Sequence, residues 1–306
     1  MEKKKKPIKK WPYLFVAPYL IAYFVFGLLP ILYSLIISFT KWDGIHKMEF
    51  VGLENYIYIF TKDPYFFKSI FNTVKIMLGY IPFVIVFGLL LAAAFSSKLL
   101  PLRNAYRLVN FFPYITTPVA IGLIFALMFE RSSGTVNRIL VALGVMDSGV
   151  NWLGNPKYAI FVMCFMLVWK FLGYHMMVYS AALATISTDL FEAADIDGAS
   201  FWQTFRYIIL PQVQPTTLFL IITDIIYGFQ MIEEPMQLFA GWGAGVQQIG
   251  GPARVALTAV WNMYDTAFGT NMEYGRASAI AYGVFLFIVI FSCLIFRINK
   301  KSAQGD

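Results

Sequence analysis

Residues Tyr13–Phe39 read YLFVAPYLIAYFVFGLLPILYSLIISF, a stretch of 27 residues that contains no charged side chain. About 20 consecutive apolar residues are enough for a helix to cross the hydrocarbon core of a bilayer, so this stretch predicts a transmembrane helix. It is longer than the apolar core of a signal peptide, and no clear cleavage site follows it. We therefore expect the stretch to be retained.

The composition of the whole chain agrees with a membrane protein. Of the 306 residues, 59% are hydrophobic and 13% are charged, whereas about a quarter of the residues in soluble domains are charged. This balance excludes a disordered chain, a fibrous protein and a water-exposed enzyme. The two cysteines, Cys164 and Cys293, lie in separate apolar segments, so a disulfide framework or a metal cluster has no support.

Five further apolar segments follow the first and complete a set of six. We expect an all-α fold, a polytopic bundle of six transmembrane helices that occupies residues 13–296, with kinks rather than breaks at prolines. Asp224 interrupts the fifth segment. The predicted spans are Tyr13–Phe39, Val74–Phe95, Phe111–Phe129, Ala159–Ala184, Thr216–Ile232 and Ala277–Phe296.

The basic residues orient the predicted spans. Residues 1–12 contain six lysines, and we interpret this block as a cytoplasmic anchor rather than a nucleic-acid-binding segment. The tail 297–306 is then also cytoplasmic, and the parity of the spans places the loop 186–214 on the same side. The stretches Lys41–Ser69 and Glu233–Arg276 fall outside, where they either pack at the membrane interface or form a docking surface.

The loop 186–214 contains the most informative string, EAADIDGA at Glu192–Ala199, which is followed by IILP at Ile208–Pro211. The first part predicts a short helix over Leu190–Asp197. Gly198 can adopt a positive φ at little cost and is expected to end that helix.

A second amphipathic helix is expected over Phe201–Leu210, with Pro211 stopping it. In the first helix, Ala193 and Ala194 are expected on one face, where small side chains let another backbone approach closely. Two short helices in this order form a rigid lever across one mouth of the bundle. Such a lever is suited to transmit a push from a soluble partner into the membrane.

The string resembles the signature loop of permease subunits of binding-protein-dependent ABC importers. That loop begins with Glu-Ala-Ala, has a glycine four residues after the last alanine, and has Ile-x-Leu-Pro ten residues after the glycine. Other segments, such as FVGLENY at Phe50–Tyr56, resemble the carbohydrate branch, in particular the first permease subunit of maltose and glycerol-3-phosphate importers. The matching signature positions are Glu192, Ala193, Ala194, Gly198, Ile208, Leu210 and Pro211.

The resemblance implies a transport subunit of a bacterial or archaeal cell membrane, not an enzyme, that helps to import an oligosaccharide or sugar derivative. Its partners would be a second homologous permease, two ATPase subunits that bind ATP and magnesium, an extracellular or periplasmic solute-binding protein, and membrane lipid. The chain would bind no cofactor of its own and no nucleic acid, and its sequence has no G-x-x-x-x-G-K-[ST] phosphate loop. The expected ATPase-coupling residues are Glu192, Ala193, Ala194, Asp197, Gly198, Ile208, Leu210 and Pro211.

A polar stripe surrounds Asp224 in the fifth predicted span, and an ionisable group within a membrane usually faces a cavity or a partner. By the resemblance, the fourth and fifth spans line the translocation path, where aromatic rings and a few polar groups would hold a sugar. Two other interpretations stay open: Asp224 pairs with the second permease, and the tyrosines are packing residues. Lys75 and Lys170 are expected to snorkel toward the membrane surface or to face a loop. The expected pathway residues are Trp169, Tyr174, Thr223, Asp224, Tyr227 and Gln230, with His175 as a further candidate.

A secondary transporter or channel for a small polar solute fits the composition equally well. Such a protein would not need the lever and would transport alone, whereas an ATP-coupled permease would be inert without its ATPase. An intramembrane hydrolase has no support, because neither H-E-x-x-H nor G-x-S-x-G is present. One departure from the resemblance is the stretch Phe239–Gln248, which lengthens the segment before Gly250–Pro252 and leaves the substrate open.

Overall fold

The computed structural model describes residues 11–96, 102–240, 249–270 and 272–302. The lysine block within residues 1–10, the end of the tail at 303–306 and most of the stretch Phe239–Gln248 lie outside the described residues, so the sequence-based expectations for them stay predictions. Within the described ranges the chain forms two compact units, Met1–Asp63 with Thr266–Gly283 and Pro64–Asp265 with Val284–Asp306.

The described chain is mainly helical. Its only β structure is a pair of two-residue strands, and short π-helical turns occur at Phe24–Leu28 and Phe205–Ile209. The helices and strands are α1 (Trp11–Tyr23), α2 (Leu29–Ser38), β1 (Thr40–Lys41), β2 (Glu49–Phe50), α3 (Glu54–Thr61), α4 (Phe66–Ser96), α5 (Arg103–Ile115), α6 (Pro118–Met128), α7 (Thr135–Ala142), α8 (Pro156–Leu183), α9 (Thr188–Ile196), α10 (Phe201–Thr204), α11 (Leu210–Gln212), α12 (Gln214–Gln230), α13 (Glu233–Leu238), α14 (Ala259–Phe268) and α15 (Tyr274–Ser302).

The prediction of an all-α bundle with six spans is confirmed when each bent helix pair is counted as one span. Two such pairs occur, Asn104–Ile115 with Pro118–Met128, bent by 95°, and Phe201–Gln212 with Gln214–Gln230, bent by 64°. The four unbroken spans, which are long and apolar enough to cross a membrane, are Tyr13–Ser38, Phe66–Phe95, Pro156–Leu183 and Tyr274–Arg297.

The first span passes two prolines without a break, as predicted. A π-helical turn at Phe24–Leu28 comes just before Pro30, and the N–H of Leu29 donates to the carbonyl oxygen of Phe24. This bond reaches one residue further back than in an α-helix. Pro30 then lies in the first turn of the next helical segment, where its missing N–H needs no partner.

The third span differs from its prediction. A span over Phe111–Phe129 with kinks rather than breaks at its prolines was expected, and the expected absence of a break is wrong, because α5 ends at Ile115 and α6 begins at Pro118. A residue before proline is driven to extended backbone, and Thr117 has a ψ of 142°. Its hydroxyl oxygen accepts a hydrogen bond from the N–H of Ala120. The Thr-Pro pair therefore starts a new helix instead of continuing the old one.

The core of the second unit is formed by α4 and α8, which pack along much of their length. Glycines allow the close approach that is typical of helices in membranes. A Cβ added at Gly88 of α4 would lie 2.7 Å from the Cβ of His175. Helix α5 comes closer still to α8, because a Cβ added at Gly173 would lie 1.8 Å from the carbonyl oxygen of Asn110.

In the first unit, the antiparallel pair of β1 and β2 is joined to the beginning of α15. A Cβ added at Gly275 would lie 1.9 Å from the carbonyl oxygen of Thr40, so only glycine fits at this contact. The buried amide of Asn55 donates to the carbonyl oxygens of Ser38 and Thr40 at 2.9 and 2.8 Å. Residues 41–63, the part of the predicted outer stretch in this unit, are thus held in a defined structure.

Candidate functional site

The signature loop folds into two helical arms that meet at Gly198. The first arm, α9, begins at Thr188, where the hydroxyl oxygen of Ser187 accepts a backbone hydrogen bond and caps the helix. Gly198 has a φ of 71°, in the left-handed region that glycine adopts without steric cost. The prediction of a short helix over Leu190–Asp197 ended by Gly198 is confirmed, although the helix starts two residues earlier.

The two alanines of α9 do not share a face. Ala194 is buried and Ala193 is exposed. Adjacent residues lie about 100° apart around an α-helix, so the expectation that both alanines lie on one face is wrong. Glu192 and Asp197 are exposed, as is Ile196, whose exposed fraction is 87%. The outer surface of this arm is therefore formed by charged and apolar side chains around one small residue.

The second arm runs from Phe201 to Gln212 and passes through Pro211. Ser200 and Gln203 start it as a capping box, in which each side chain bonds to the backbone of the other residue. A π-helical turn at Phe205–Ile209 precedes Pro211 and places it in the first turn of α11, where proline is tolerated. The predicted stop at Pro211 is therefore wrong, and the chain bends only after Gln212.

We call residues 187–212 the elbow. Its inner side is part of the core, since Ile209 is buried in an apolar cluster with residues of α4, α8 and α12, and Phe191 and Phe205 pack against that cluster. Its outer side exposes large apolar side chains, among them Ile196, Trp202 and Tyr207. Of the predicted coupling residues, Ala194 is buried, Ile208 is half-buried, and the exposed ones are Glu192, Ala193, Asp197, Gly198, Leu210 and Pro211.

Three polar side-chain bridges connect α8 with α12 and α13, and we call them the polar ladder. The bridges follow one another along α8 from the end near the elbow to the far end. Their partner residues lie in the same spatial order along α12 and α13, so α12 runs antiparallel to α8. The bridges are Tyr179 to Thr217, with the hydroxyl donating at 2.9 Å, His175 Nε2 to Asp224 Oδ2 at 2.9 Å, and Lys170 Nζ to Glu234 Oε1.

The middle bridge is electrically neutral. His175 is fully buried, and its Nδ1–H donates to the carbonyl oxygen of Phe171 at 2.9 Å, because a carbonyl can only accept. One further proton then lies between Nε2 and the carboxylate of Asp224, and the pair has no net charge whichever atom holds it. Asp224 therefore has its partner within this chain, and a partner in a second permease is not needed to explain its burial.

The far bridge is an ion pair shielded from solvent. Lys170 and Glu234 are 6% and 2% exposed, and the hydroxyl of Tyr227 donates to the same carboxylate oxygen of Glu234. The expectation that Lys170 snorkels or faces a loop is wrong, because the side chain is buried and its ammonium group pairs with Glu234. A buried charge is costly unless it is paired, so this lysine and this glutamate require each other.

The six predicted pathway residues do not form one surface. Asp224 and Tyr227 are engaged in the ladder, and the hydroxyl of Thr223 donates to its own helix, to the carbonyl oxygen of Phe219 at 3.0 Å. The polar groups of Asp224, Tyr227 and Thr223 therefore already have hydrogen-bond partners within the chain.

The remaining pathway residues keep open faces. Trp169 is 40% exposed and has its ring centroid 5.5 Å from that of Phe125. Tyr174 stacks on Tyr114 with ring centroids 4.7 Å apart, and Gln230 is exposed. Trp169, Tyr174 and Gln230 thus remain able to contact a ligand.

The sequence predicted none of the three bridges. Two of them, Lys170 to Glu234 and Tyr179 to Thr217, join residues that were not among the expected pathway residues. A signal existed for Lys170 and Glu234, because a lysine inside an apolar span needs an anionic partner. Glu234 lies just after the next span, which makes it a candidate for that partner. A tyrosine and a threonine carry no such signal. Across the residues that the structure describes, no group of three or more His, Cys, Asp or Glu side chains is placed to hold a metal ion.

Comparison with known proteins identifies the family. Residues 84–303 match the family described as "Binding-protein-dependent transport system inner membrane component". The arabinooligosaccharides transport system permease protein AraP of Bacillus subtilis (strain 168) is 33% identical over 97% of this chain and 91% of that protein. The lactose transport system permease protein LacF of Rhizobium radiobacter is 32% identical over 94% of each chain.

The fold also matches a solved structure. A chain of a bacterial ABC transporter involved in the import of the acidic polysaccharide alginate superposes with a TM-score of 0.76 and 20% identity, over 95% of this chain and 96% of that one. At this identity the match speaks for the fold, and it agrees with the family match and with the full-length relatives. The chain therefore belongs to the family of binding-protein-dependent transport system inner membrane components.

Proposed function

We propose that this chain is a permease subunit of an ATP-driven importer that forms, with a second homologous permease, the pathway for an oligosaccharide or sugar derivative. The observation that carries the proposal is the similarity along nearly the whole chain to permeases named for arabino-oligosaccharides and for lactose. A secondary transporter or channel does not account for a binding-protein-dependent family or for an elbow with an exposed outer side.

The elbow is the proposed attachment point of the ATPase. Its inner side is fixed in the bundle, so a force on its exposed outer side is passed to the spans rather than lost in a flexible loop. Trp202 and Ile196 offer apolar area to a groove, Ala193 permits close approach, and Glu192 would meet a basic side chain. ATP and magnesium would be bound and hydrolysed by two partner subunits.

The opposite side of the membrane is the proposed docking side of an extracellular or periplasmic solute-binding protein. The alginate importer has been solved in complex with its periplasmic protein, and its chain has the same fold. With six spans, the elbow and both termini would then lie in the cytoplasm of a bacterial or archaeal cell. Residues 41–63, which β1, β2 and α3 hold in a defined structure, would belong to the docking side.

Trp169, Tyr174 and Gln230 are the proposed substrate-pathway residues. Aromatic rings with a few neutral polar groups are suited to hold the apolar face and the hydroxyls of a sugar. Asp224, Tyr227 and Thr223 would shape this pathway from within the protein, since their polar groups already have partners.

Reconstitution tests the proposal. The chain is placed in proteoliposomes alone, or with its second permease, ATPase subunits and binding protein, and uptake of radiolabelled lactose, malto-oligosaccharides and arabino-oligosaccharides is measured. We expect ATP-dependent uptake of one sugar class by the full assembly and no uptake by the chain alone. ATP-independent uptake by the chain alone would overturn the proposal in favour of a secondary transporter.

A further inference from the structure

The polar ladder joins the two helices that flank the elbow. Helix α8 leads into the elbow and α12 leaves it, so both helices receive any displacement of the elbow directly. We call each bridge of the ladder a rung. The rung nearest the elbow is the hydrogen bond from the hydroxyl of Tyr179 to the hydroxyl oxygen of Thr217, at 2.9 Å. The other two rungs lie progressively further away along α8, and the last one reaches α13 through Glu234.

The backbones of α8 and α12 approach each other at few points. Helix α4 packs closely on α8 and also on α12, whereas α8 and α12 contact each other sparsely. The direct connections between α8 and α12 include the rungs of the ladder, an edge-on contact between the rings of Phe171 and Tyr227, and the apolar cluster that contains Leu220. Since apolar side chains compete poorly with lipid tails for helix association in a membrane, polar rungs are an effective way to hold two spans at a fixed separation.

Because the rungs are buried, they fix how α12 is aligned along α8. Lys170, His175, Asp224 and Glu234 are each buried. A slip of α12 along α8 by one turn, about 5.4 Å, would break the two rungs that end on α12 and leave the buried imidazole of His175 and the carboxyl group of Asp224 unpaired. A buried ion pair is weak evidence for stability, and its best-attested use is to fix register.

The far end of the ladder is connected to more than one element. Glu234 lies in α13, which packs on α6, where a Cβ added at Gly122 would lie 2.5 Å from the Cβ of Gln237. The carbonyl oxygen of Met231, between α12 and α13, accepts a hydrogen bond from the hydroxyl of Thr258 at 2.6 Å. A displacement that reaches Glu234 therefore reaches the third span as well.

We propose that the polar ladder makes α8, α12 and α13 one rigid body that carries the displacement of the elbow to the far end of the spans, with Lys170 and Glu234 as positioning residues. The inference rests on the proposed function, because an ATPase must move the elbow. It goes beyond that function in assigning the transmission to three side-chain pairs that no signature motif contains.

The test uses the full assembly with its second permease, ATPase subunits and binding protein in lipid nanodiscs. Spin labels are attached at Phe161 of α8 and Phe219 of α12, both exposed, and the distance between them is measured by pulsed electron paramagnetic resonance, with and without magnesium-ATP and vanadate. In the otherwise unchanged chain we expect one narrow distance that the nucleotide does not alter, because the two helices move together.

The main variant is the double substitution K170M and E234Q, which removes both charges and leaves no unpaired ion. In this double variant, we expect the nucleotide to shift or broaden the distribution of the distance between the two spin labels by about 2 Å, the scale of helix shifts in switching proteins. The charge-exchanged variant K170E with E234K keeps a pair at the same place and is expected to restore the narrow distance. A double variant that behaves as the unsubstituted chain does would overturn the inference, as would a nucleotide-dependent distance in the unsubstituted chain.

A milder pair covers the case in which the double variant does not assemble. Y179F removes a single bridging hydroxyl, whereas S180A removes the neighbouring hydroxyl, which is buried without a hydrogen-bond partner. The inference requires a shifted or broadened distance in Y179F and none in S180A, and equal behaviour of the two contradicts it. Failure of the proposed function looks different, because the ATPase subunits would then fail to co-purify with the unsubstituted chain.

Discussion

Gly198 separates the two arms of the elbow, and its replacement should loosen this joint without disturbing the bundle. Its φ is 71°, and a Cβ added there would meet nothing within 4 Å. Within this chain, a side chain at position 198 therefore costs free energy only through the strained backbone conformation. An ordinary L-residue pays about 1–2 kcal/mol in the left-handed region, and asparagine pays less.

This cost sets the size of the effect. Because about 1.4 kcal/mol corresponds to a factor of ten in an equilibrium, the population of the observed elbow should fall about five- to thirtyfold. The order of impairment should be G198N least, then G198A, and G198V most, since β-branched residues are the least tolerant of a positive φ.

The assay is the affinity of the ATPase subunits for the assembled permease pair, titrated in nanodiscs, with the melting temperature of the permease pair as the control. We expect attachment to weaken about tenfold in G198V with an unchanged melting temperature. Undiminished attachment in G198V would refute the need for this elbow conformation. Equal weakening in all three variants would show that steric contact with the ATPase, and not backbone conformation, dominates.

Three further outcomes follow from contacts elsewhere. D224L should destabilise the permease by about 1–3 kcal/mol, because it leaves the buried imidazole nitrogen of His175 without its hydrogen-bond partner, and D224N by less. Chemical denaturation in detergent measures both, and a D224L variant as stable as the unsubstituted chain would contradict the pairing. G173A should cost about 1–3 kcal/mol by overpacking against the Asn110 carbonyl, while G27A, which would meet only a tyrosine ring, should cost little. Hydrogen bonding to Asp43 raises the pKa of His46, so their contact should persist below about pH 6.5 and be lost as the pH rises through that raised value. The indole of Trp42 donates to the backbone carbonyl oxygen of His46, so the Trp42 contribution to fluorescence, taken against W42F, reports a rearrangement of this turn. A pH-independent signal would refute the prediction.

The helical class and the number of spans could be predicted because each span depends on local composition. A run such as Tyr13–Phe39 has one stable arrangement in a bilayer, a helix whose backbone satisfies its own hydrogen bonds. The bends are harder to predict, because they depend on how each proline is accommodated. Pro118 begins a new helix after an extended Thr117, whereas Pro30 and Pro211 follow π-helical turns that let the helix continue. Nothing in the local sequence distinguishes these cases reliably.

The elbow could be predicted in outline from its small residues and glycine, because helix ends are also local. The side that each residue faces could not, since burial of Ala194 depends on the bundle behind it. The ladder is a tertiary property for the same reason. Lys170 and Glu234 are separated by 64 positions, and only the packing of α8 beside α12 and α13 brings them together. Pairing therefore had to be seen in the structure.

The internal pairing of charges also changes how the pathway should be understood. The four buried ionisable side chains of α8, α12 and α13, Lys170, His175, Asp224 and Glu234, form two pairs within the chain. A charge that already has a buried partner is not available to a passing solute without the cost of separating the pair. Under the proposed function, we expect recognition of the sugar to depend on the neutral surfaces that stay open, such as Trp169 and Gln230. Under the same proposal, we expect the buried charged residues of these spans to act on transport through the positions of helices, and the exposed aromatic residues to act through contact.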